Sequence, residues 1–160
     1  MKIANRMENL SPSVTLAITA LARELKAQGK DILSFSAGEP DFDTPQIVKD
    51  AAIKAINDGQ TKYTAVEGII ATKQAIINKL KKDHNLDYKL DNILISNGAK
   101  HSLFNLFQVL VEEGDEVIIP APYWVTYPEQ VKFSDGVPVF IDTDDSTEFK
   151  ITPEQLKAAI

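Results

Sequence analysis

The sequence predicts an α/β fold in which helices alternate with the strands of a parallel sheet. Three observations support this. Short β-branched runs recur from residue 92 onward, a helical segment follows each run, and most of the junctions carry Gly or Pro. Runs that are apolar along their whole length are typical of parallel strands covered by helices on both faces.

The first half of the chain is predicted to be mainly helical. A first helix covers residues 13–28, with Ser11 as its N-cap and Gly29 as its stop. A strand-like run, "DILSFS", then leads into a loop rich in Gly, Pro and Asp. Two further helices are predicted, over residues 45–57 and 68–83.

The second half alternates strands and helices. The predicted strands are "NILIS", "DEVIIP" and "GVPVFID", and the predicted helices are "AKHSLFNLFQVLVEE", "YWVTYPEQVKF" and one that begins at Thr152 and Pro153. The last helix reaches Ile160 without a stop signal, and three apolar strands leave sheet edges unpaired. We therefore expect the chain to be the N-terminal portion of a longer protein, incomplete at its C-terminus.

Composition excludes several classes of function. Hydrophobic residues make up 44% of the 160 residues, charged residues 25%, and the net charge is −6 without a basic stripe, so neither nucleic acid nor a membrane is expected as a partner. The absence of cysteine excludes disulfides and thiolate sites and fits a cytoplasmic protein. His84 and His101 lie on separate helical segments, so no metal site is expected.

The segment "ILISNGAKHSLFNLF" turns from a strand into a helix within two residues. The first amides of such a helix lack intrahelical acceptors, and the helix dipole adds positive charge there, so an anion can bind. Gly98 and Ala99 leave room for it, and Lys100 adds a donor. The alternative is that Asn97 and Gly98 form a plain turn and Lys100 is solvated. Spacing alone leaves both interpretations open.

Three other segments carry candidate residues. "SAGEPDFDTP" places Gly38 and an acidic turn at the end of a strand, where open α/β sheets bind ligands. "PAPYWVTYP" places Trp124, the single tryptophan of the sequence, at the end of another strand beside Tyr123. Trp124 is suited to stacking on a flat ligand ring, but base rates favour a core residue. Tyr63, in "TKYTAVEG", precedes a helix and by itself indicates nothing.

Together, the segments "AGEPDFDTP", "KYT", "NGAKHSLFNLF" and "GDEVIIPAPYWVTYP" resemble the class I aminotransferases, which are pyridoxal-phosphate enzymes of the aspartate aminotransferase fold, fold type I. Nearly the whole chain shares the order and spacing of these motifs, with the strongest likeness to the bacterial aspartate/prephenate type. The resemblance implies an N-terminal arm and start of the small domain over residues 1–43. Residues 44–160 would form the N-terminal part of the large, cofactor-binding domain.

The resemblance also implies roles for single residues. Gly98, Ala99 and Lys100 match the turn whose backbone amides hold the phosphate of pyridoxal 5'-phosphate, which favours the anion-binding interpretation. Trp124 matches the aromatic residue that lies against the pyridine ring and leaves its other face to the substrate. The implied reaction is transamination between an amino acid, aspartate or glutamate in the nearest subgroup, and a 2-oxo acid.

Two further residues match positions around the substrate and the subunit interface. Gly38 matches the glycine whose backbone lies beside the substrate carboxylate. Tyr63 matches a tyrosine that reaches the cofactor phosphate of the neighbouring subunit, which implies a homodimer. Lys100 either contributes to the choice of acidic substrates or stays on the phosphate side, and the residues leave this open.

The chain also departs from the family pattern. Thr72 and Lys73 replace a Leu-Arg pair on a supporting helix. The Schiff-base lysine and the acidic and basic residues that hold the ring nitrogen and the substrate carboxylate are expected beyond residue 160. Lys100 is at the phosphate end of the ring, and Lys62 is no better placed. We therefore expect no catalytic residue, and no activity, in residues 1–160 alone.

Two other functions compete with this interpretation. One is a non-catalytic domain of aminotransferase ancestry that binds a ligand or a partner protein. The other is a nucleotide-binding α/β domain, which is disfavoured because the turn at Asn97 lacks both the G-x-G-x-x-G pattern and the P-loop pattern.

Overall fold

The computed structural model describes residues 2–36 and 38–160. Within it the chain forms two compact units. One comprises Met1–Ala37 together with Ala99–Ile160, and the other comprises Gly38–Gly98. The candidate residues are therefore divided between two units, which are described separately below.

The elements follow each other along the chain as the sequence predicts for most of its length. The helices are α1 (Val14–Ala27), α2 (Gln46–Asn57), α3 (Ile70–His84), α4 (Ala99–Leu110), α5 (Thr126–Phe133) and α6 (Pro153–Ala158). The strands are β1 (Glu116–Ala121) and β2 (Val137–Asp142). Short 3-10 turns lie at Asn5–Met7, Leu90–Asn92 and Asp145–Thr147.

The core of the first unit is a β-α-β arrangement. Strands β1 and β2 pair in parallel, with Glu116 opposite Val137 and Ala121 opposite Asp142. Helix α5 connects the two strands and packs against both, which buries Val131 completely. Ile119 and Ile141 from the strands are also buried, at 5% and 6% exposure. A parallel pair needs such a helical crossover, and here α5 also supplies Val131, the fully buried residue of this core.

Helix α4 packs on the other side of α5. The rings of Phe104 and Phe133 lie 5.4 Å apart at 45°. Next to them the side-chain amide of Gln108 donates to the hydroxyl of Ser134 over 2.6 Å. That hydroxyl in turn donates to the carbonyl of Gln130 over 3.0 Å. Helices α4 and α5 are thus joined by aromatic and polar contacts near the C-terminal half of α4.

Helix α1 begins later than predicted. Its N-cap is Ser13, whose hydroxyl accepts the amide of Leu16 over 3.3 Å, so the prediction of Ser11 is wrong. Ser11 lies two residues too early, and its amide donates to the carboxylate of Glu129 instead. The predicted stop is confirmed: Gly29 has a φ of +81°, and its amide donates to the carbonyl of Lys26.

Two predicted strands are wrong. No strand forms at "DILSFS" (residues 31–36) or at "NILIS" (residues 92–96). The sheet of the described residues therefore has two strands and not three. "NILIS" is linked to a distant segment by one backbone hydrogen bond among the described residues, in which the amide of Ile95 donates to the carbonyl of Glu67 over 3.0 Å. A β-branched run becomes a strand when another strand pairs with it, and composition does not supply that partner.

Helix boundaries at two functional segments also differ from the prediction. Helix α5 begins at Thr126, so Tyr123 and Trp124 lie in the loop before it and not in the helix. Helix α4 ends at Leu110, three residues early. By contrast, α6 begins where predicted, because the hydroxyl of Thr152 and the side chain of Gln155 form a reciprocal capping box.

Much apolar surface is exposed outside the β-α-β core. Helices α1 and α2 bury no residue, and α3 buries only Lys73, at 5% exposure. Lys73 is one of the two departures from the family pattern, so the changed pair includes a buried position on its helix. Over residues 2–36 and 38–160, no helix is long and apolar enough to cross a membrane.

We predict that alanine is far less tolerated at Gly68 than at Gly59. Both glycines have a positive φ, +103° and +76°. A Cβ at Gly59 would meet no atom within 4 Å, whereas a Cβ at Gly68 would lie 2.7 Å from the Cβ of Ile95. Gly59→Ala should cost about 1 kcal/mol of unfolding free energy, and Gly68→Ala about 1 to 3 kcal/mol more. Urea unfolding of the natural protein measures both, and equal costs would contradict the packing described.

Candidate cofactor-binding site

The turn before α4 has the geometry of an anion site. Gly98 has a φ of +84°, a conformation that favours glycine, and α4 begins at the next residue, Ala99. A Cβ built on Gly98 would meet no atom within 4 Å, so the approach to the turn is open. The amides of the first turn of α4 have no acceptor within the helix, and the helix dipole adds partial positive charge. The turn therefore suits a phosphate group.

The side chain of Lys100, in the first turn of α4, reaches Trp124. The Lys100 ammonium is 5.1 Å from the centroid of the Trp124 ring, a cation–π distance. The indole is 44% exposed, so the interpretation of Trp124 as a core residue is wrong. An aromatic ring that is neither buried nor freely solvated offers a face on which a flat ligand can stack.

The loop that carries Trp124 is held at the carboxyl ends of β1 and β2. The neighbouring ring of Tyr123 stacks on Phe140 of β2, with centroids 4.9 Å apart and planes 19° apart. The Thr143 hydroxyl donates to the carbonyl of Ala121, and the peptide between Ala121 and Pro122 is cis. Ligands of open α/β sheets bind at this end of the strands. The loop is therefore both well held and correctly placed for a ligand.

A side-chain amide joins the first turn of α4 to α5. Nε2 of Gln130 donates to the carbonyl of Lys100 over 2.9 Å, and the Gln130 side chain is only 9% exposed. No local sequence pattern identifies Gln130 as a site residue. The available signal was a polar residue beside Val131 on a short helix that must bury one face. That signal indicates a buried polar side chain but does not identify the Lys100 carbonyl as its hydrogen-bond partner.

A cavity of about 320 Å³ lies between the N-terminal segment and the same loop. Its lining includes Ser13, Val14, Tyr123 and Val125. At its edge the amide of Ser11 donates to Oε2 of Glu129 over 2.8 Å, while Lys132 approaches Oε1 of the same carboxylate at 3.1 Å. The N-terminal segment thus packs against the start of α5, which the sequence analysis did not foresee.

The remaining candidates lie in the other compact unit. Tyr63 is fully exposed, and a Cβ at Gly38 would meet nothing within 4 Å. The structure thus brings Lys100 together with Trp124, next to Ala99, and presents Gly38 and Tyr63 separately on Gly38–Gly98. In the described part of the chain no group of three or more His, Asp or Glu side chains is placed to hold a metal ion.

Comparison with known proteins identifies relatives over the whole chain. Residues 30–160 match the profile of a family described as aminotransferase class I and II. The chain is 58% identical over 160 residues to the aspartate aminotransferase of Geobacillus stearothermophilus, covering 100% of this chain and 41% of that protein. It is 55% identical to the aspartate/prephenate aminotransferase of Nitrosomonas europaea, covering 100% and 40%.

Solved structures show the same similarity. The aspartate aminotransferase from Rhizobium meliloti superimposes with a TM-score of 0.94 at 45% identity, covering 100% of this chain and 40% of that one. The enzyme from Thermus thermophilus with maleate gives a TM-score of 0.94 at 41% identity, covering 100% and 42%. The chain therefore spans about two fifths of the length of the relatives that it matches.

We predict that the contact of the Lys100 ammonium with the Trp124 ring contributes measurably to the stability of the natural protein. Lys100→Met keeps the aliphatic length but removes the cation, and should lower the unfolding free energy by about 0.5 kcal/mol. It should also shift the emission of Trp124. Lys30→Met, in the exposed segment after α1, is the matched control and should change neither quantity. Equal effects of the two variants would contradict the contact.

Proposed function

The chain belongs to the class I and II aminotransferases, and we propose that the whole protein transfers an amino group between an amino acid and a 2-oxo acid. The family and the fold predicted from the motifs are confirmed by the matched profile and by the superimposed structures. Aminotransferases of the aspartate aminotransferase type use pyridoxal 5'-phosphate. We propose the same cofactor here, with aspartate or glutamate as the amino donor, because relatives at 58% and 55% identity are named for aspartate.

One observation carries the proposal: the Lys100 side chain, from the first turn of α4, contacts a half-exposed indole at the carboxyl ends of two parallel strands. A flat ring with a phosphate arm needs an anion site and an aromatic face close together. The amides of Ala99 and Lys100 supply the first and Trp124 supplies the second. The open space above Gly98 leaves room for phosphate oxygens, so the residues present fit the cofactor.

Each of these residues then has a defined task. The amides at Ala99 and Lys100 bind the phosphate dianion, and the Lys100 ammonium adds positive charge close to it. Trp124 holds the ring by one face and leaves the other face open to substrate. The cofactor, when bound, supplies the electron sink for reaction at the substrate α-carbon. The chain's own contribution is binding and orientation.

The finer assignments extend this proposal. We propose that the Gly38 backbone lies beside the substrate carboxylate and that Tyr63 reaches the cofactor phosphate of a partner subunit. The protein would then be a homodimer, and we place it in the cytoplasm. Residues 1–43 are proposed as the arm and the start of the small domain, with residues 44–160 in the large domain. The full exposure of Tyr63 supports its proposed role, because a tyrosine that serves a partner's site must be accessible on its own subunit.

The first test is borohydride reduction of the natural protein followed by intact-mass measurement and an aspartate–2-oxoglutarate assay. We expect one pyridoxyl adduct per subunit and sustained amino-group transfer. Residues 1–160 expressed alone should give no transfer, because they span about two fifths of the relatives' length and hold no residue that matches the family's Schiff-base lysine. An unmodified, inactive natural protein would favour a non-catalytic binding domain, and sustained transfer by residues 1–160 would contradict the expectation that they lack the catalytic lysine.

A second test addresses Tyr63. Removing its hydroxyl by Tyr63→Phe should weaken pyridoxal phosphate binding about tenfold, because a hydrogen bond to a charged group contributes roughly 1.5 kcal/mol. Tyr88→Phe, in the same compact unit, is the matched control and should leave the affinity unchanged. Titration of the apoprotein, followed by cofactor absorbance, measures both. Equal affinities of the two variants would contradict the assignment of Tyr63.

A further inference from the structure

We propose that Gln130 is a positioning residue that fixes the first turn of α4 relative to the loop carrying Trp124. This inference rests on the proposed function, because it concerns the two ends of the same cofactor site. Among the described contacts, Gln130 touches neither the amides proposed to bind phosphate nor the indole of Trp124. It acts through the backbone of Lys100.

The contact joins the two elements that carry the site. Gln130 lies on α5, which begins two residues after Trp124, and its Nε2 donates to the carbonyl of Lys100 over 2.9 Å. The amide of the same residue, Lys100, belongs to the turn that would bind phosphate. Gln130 itself is only 9% exposed, so few water molecules can compete for its donating amide. The hydrogen bond therefore restrains the spacing between the phosphate end and the ring end of the site.

The other contacts between the two helices do not provide this restraint. Gln108 and Ser134 join α4 to α5 over 2.6 Å, and the rings of Phe104 and Phe133 pack close by. Gln108 lies eight residues after Lys100, which is about 12 Å along a helix axis. These contacts act farther along α4 and not on its first turn. The first turn is contacted by the Gln130 amide and by the cation–π pair of Lys100 and Trp124, and of these two contacts the Gln130 hydrogen bond is the one that holds the backbone.

The second polar atom of Gln130, Oε1, allows an effect on positioning to be distinguished from an effect on stability. This oxygen is buried and has no hydrogen-bond partner among the described residues. An unsatisfied buried acceptor is destabilising, and this offsets what the Nε2 contact contributes. Replacing the amide with an apolar group of similar length removes both the favourable contact and the unsatisfied atom. We therefore expect such a variant to retain its stability but to lose the restraint on the α4 turn.

The test compares Gln130→Met with Gln108→Met in the natural full-length protein. Each variant removes one side-chain amide that bridges α4 and α5, but only Gln130 contacts the first turn. Apoprotein is titrated with pyridoxal 5'-phosphate, the phosphorus-31 NMR shift of the bound cofactor is recorded, and thermal unfolding is followed in parallel. Gln130→Met should weaken cofactor binding about fivefold, because a turn that is no longer restrained must be ordered when the phosphate binds, and should move the phosphorus shift.

Gln108→Met should leave the affinity within about twofold of the unchanged protein and leave the phosphorus shift unmoved. Gln130→Asn provides a second variant if Gln130→Met does not fold, since it keeps the amide but withdraws the donor by roughly 1.5 Å, one carbon–carbon bond. It should also weaken binding.

Equal affinities and equal phosphorus shifts for the position-130 variants and Gln108→Met would overturn the role of Gln130 while leaving the proposed function intact. Failure of the unchanged protein to bind pyridoxal phosphate would overturn both. A fall in affinity with an unmoved phosphorus shift would show a purely structural role and would also overturn the inference.

Discussion

The packing of α5 between α4 and the parallel strand pair is the constraint on which the rest of the first unit depends. Val131 is fully buried in this packing, and Gln130, its neighbour in sequence, bonds to the backbone of α4. The return from α5 to β2 passes through Gly136, where a Cβ would lie 3.2 Å from Cγ1 of Val131. The fold thus uses a short helix to bring a strand pair and a second helix into fixed relation.

That relation explains how the proposed site could work with few polar side chains. The proposed anion site consists of backbone amides and a dipole, which require only that α4 begins in the right place. The proposed ring site consists of one indole, which requires that its loop be held at the strand ends, as the stacking of Tyr123 on Phe140 does. On this proposal, specificity for a flat phosphorylated ring follows from the spacing of two elements and not from a dense set of charged groups.

The sequence predicted those features whose cause is local. Thr152 caps α6 and Gly29 ends α1 because capping depends on residues within one helical turn. The turn at Gly98 was predicted for the same reason. Strand formation by "NILIS" and the hydrogen bond of Gln130 depend on partners distant in the chain, so periodicity could not establish them. Base rates alone favoured a core position for Trp124, whereas the resemblance to the family implied a place against the cofactor ring, and the observed exposure of the indole excludes the core position.

The most direct test of this account is a crystal structure of the natural protein with pyridoxal 5'-phosphate bound. The account predicts phosphate oxygens within about 3 Å of the backbone nitrogens of Ala99 and Lys100. It also predicts the pyridine ring against the face of Trp124, and the Gln130 amide still on the carbonyl of Lys100. A phosphate bound away from the first turn of α4, or a ring that does not contact Trp124, would contradict it.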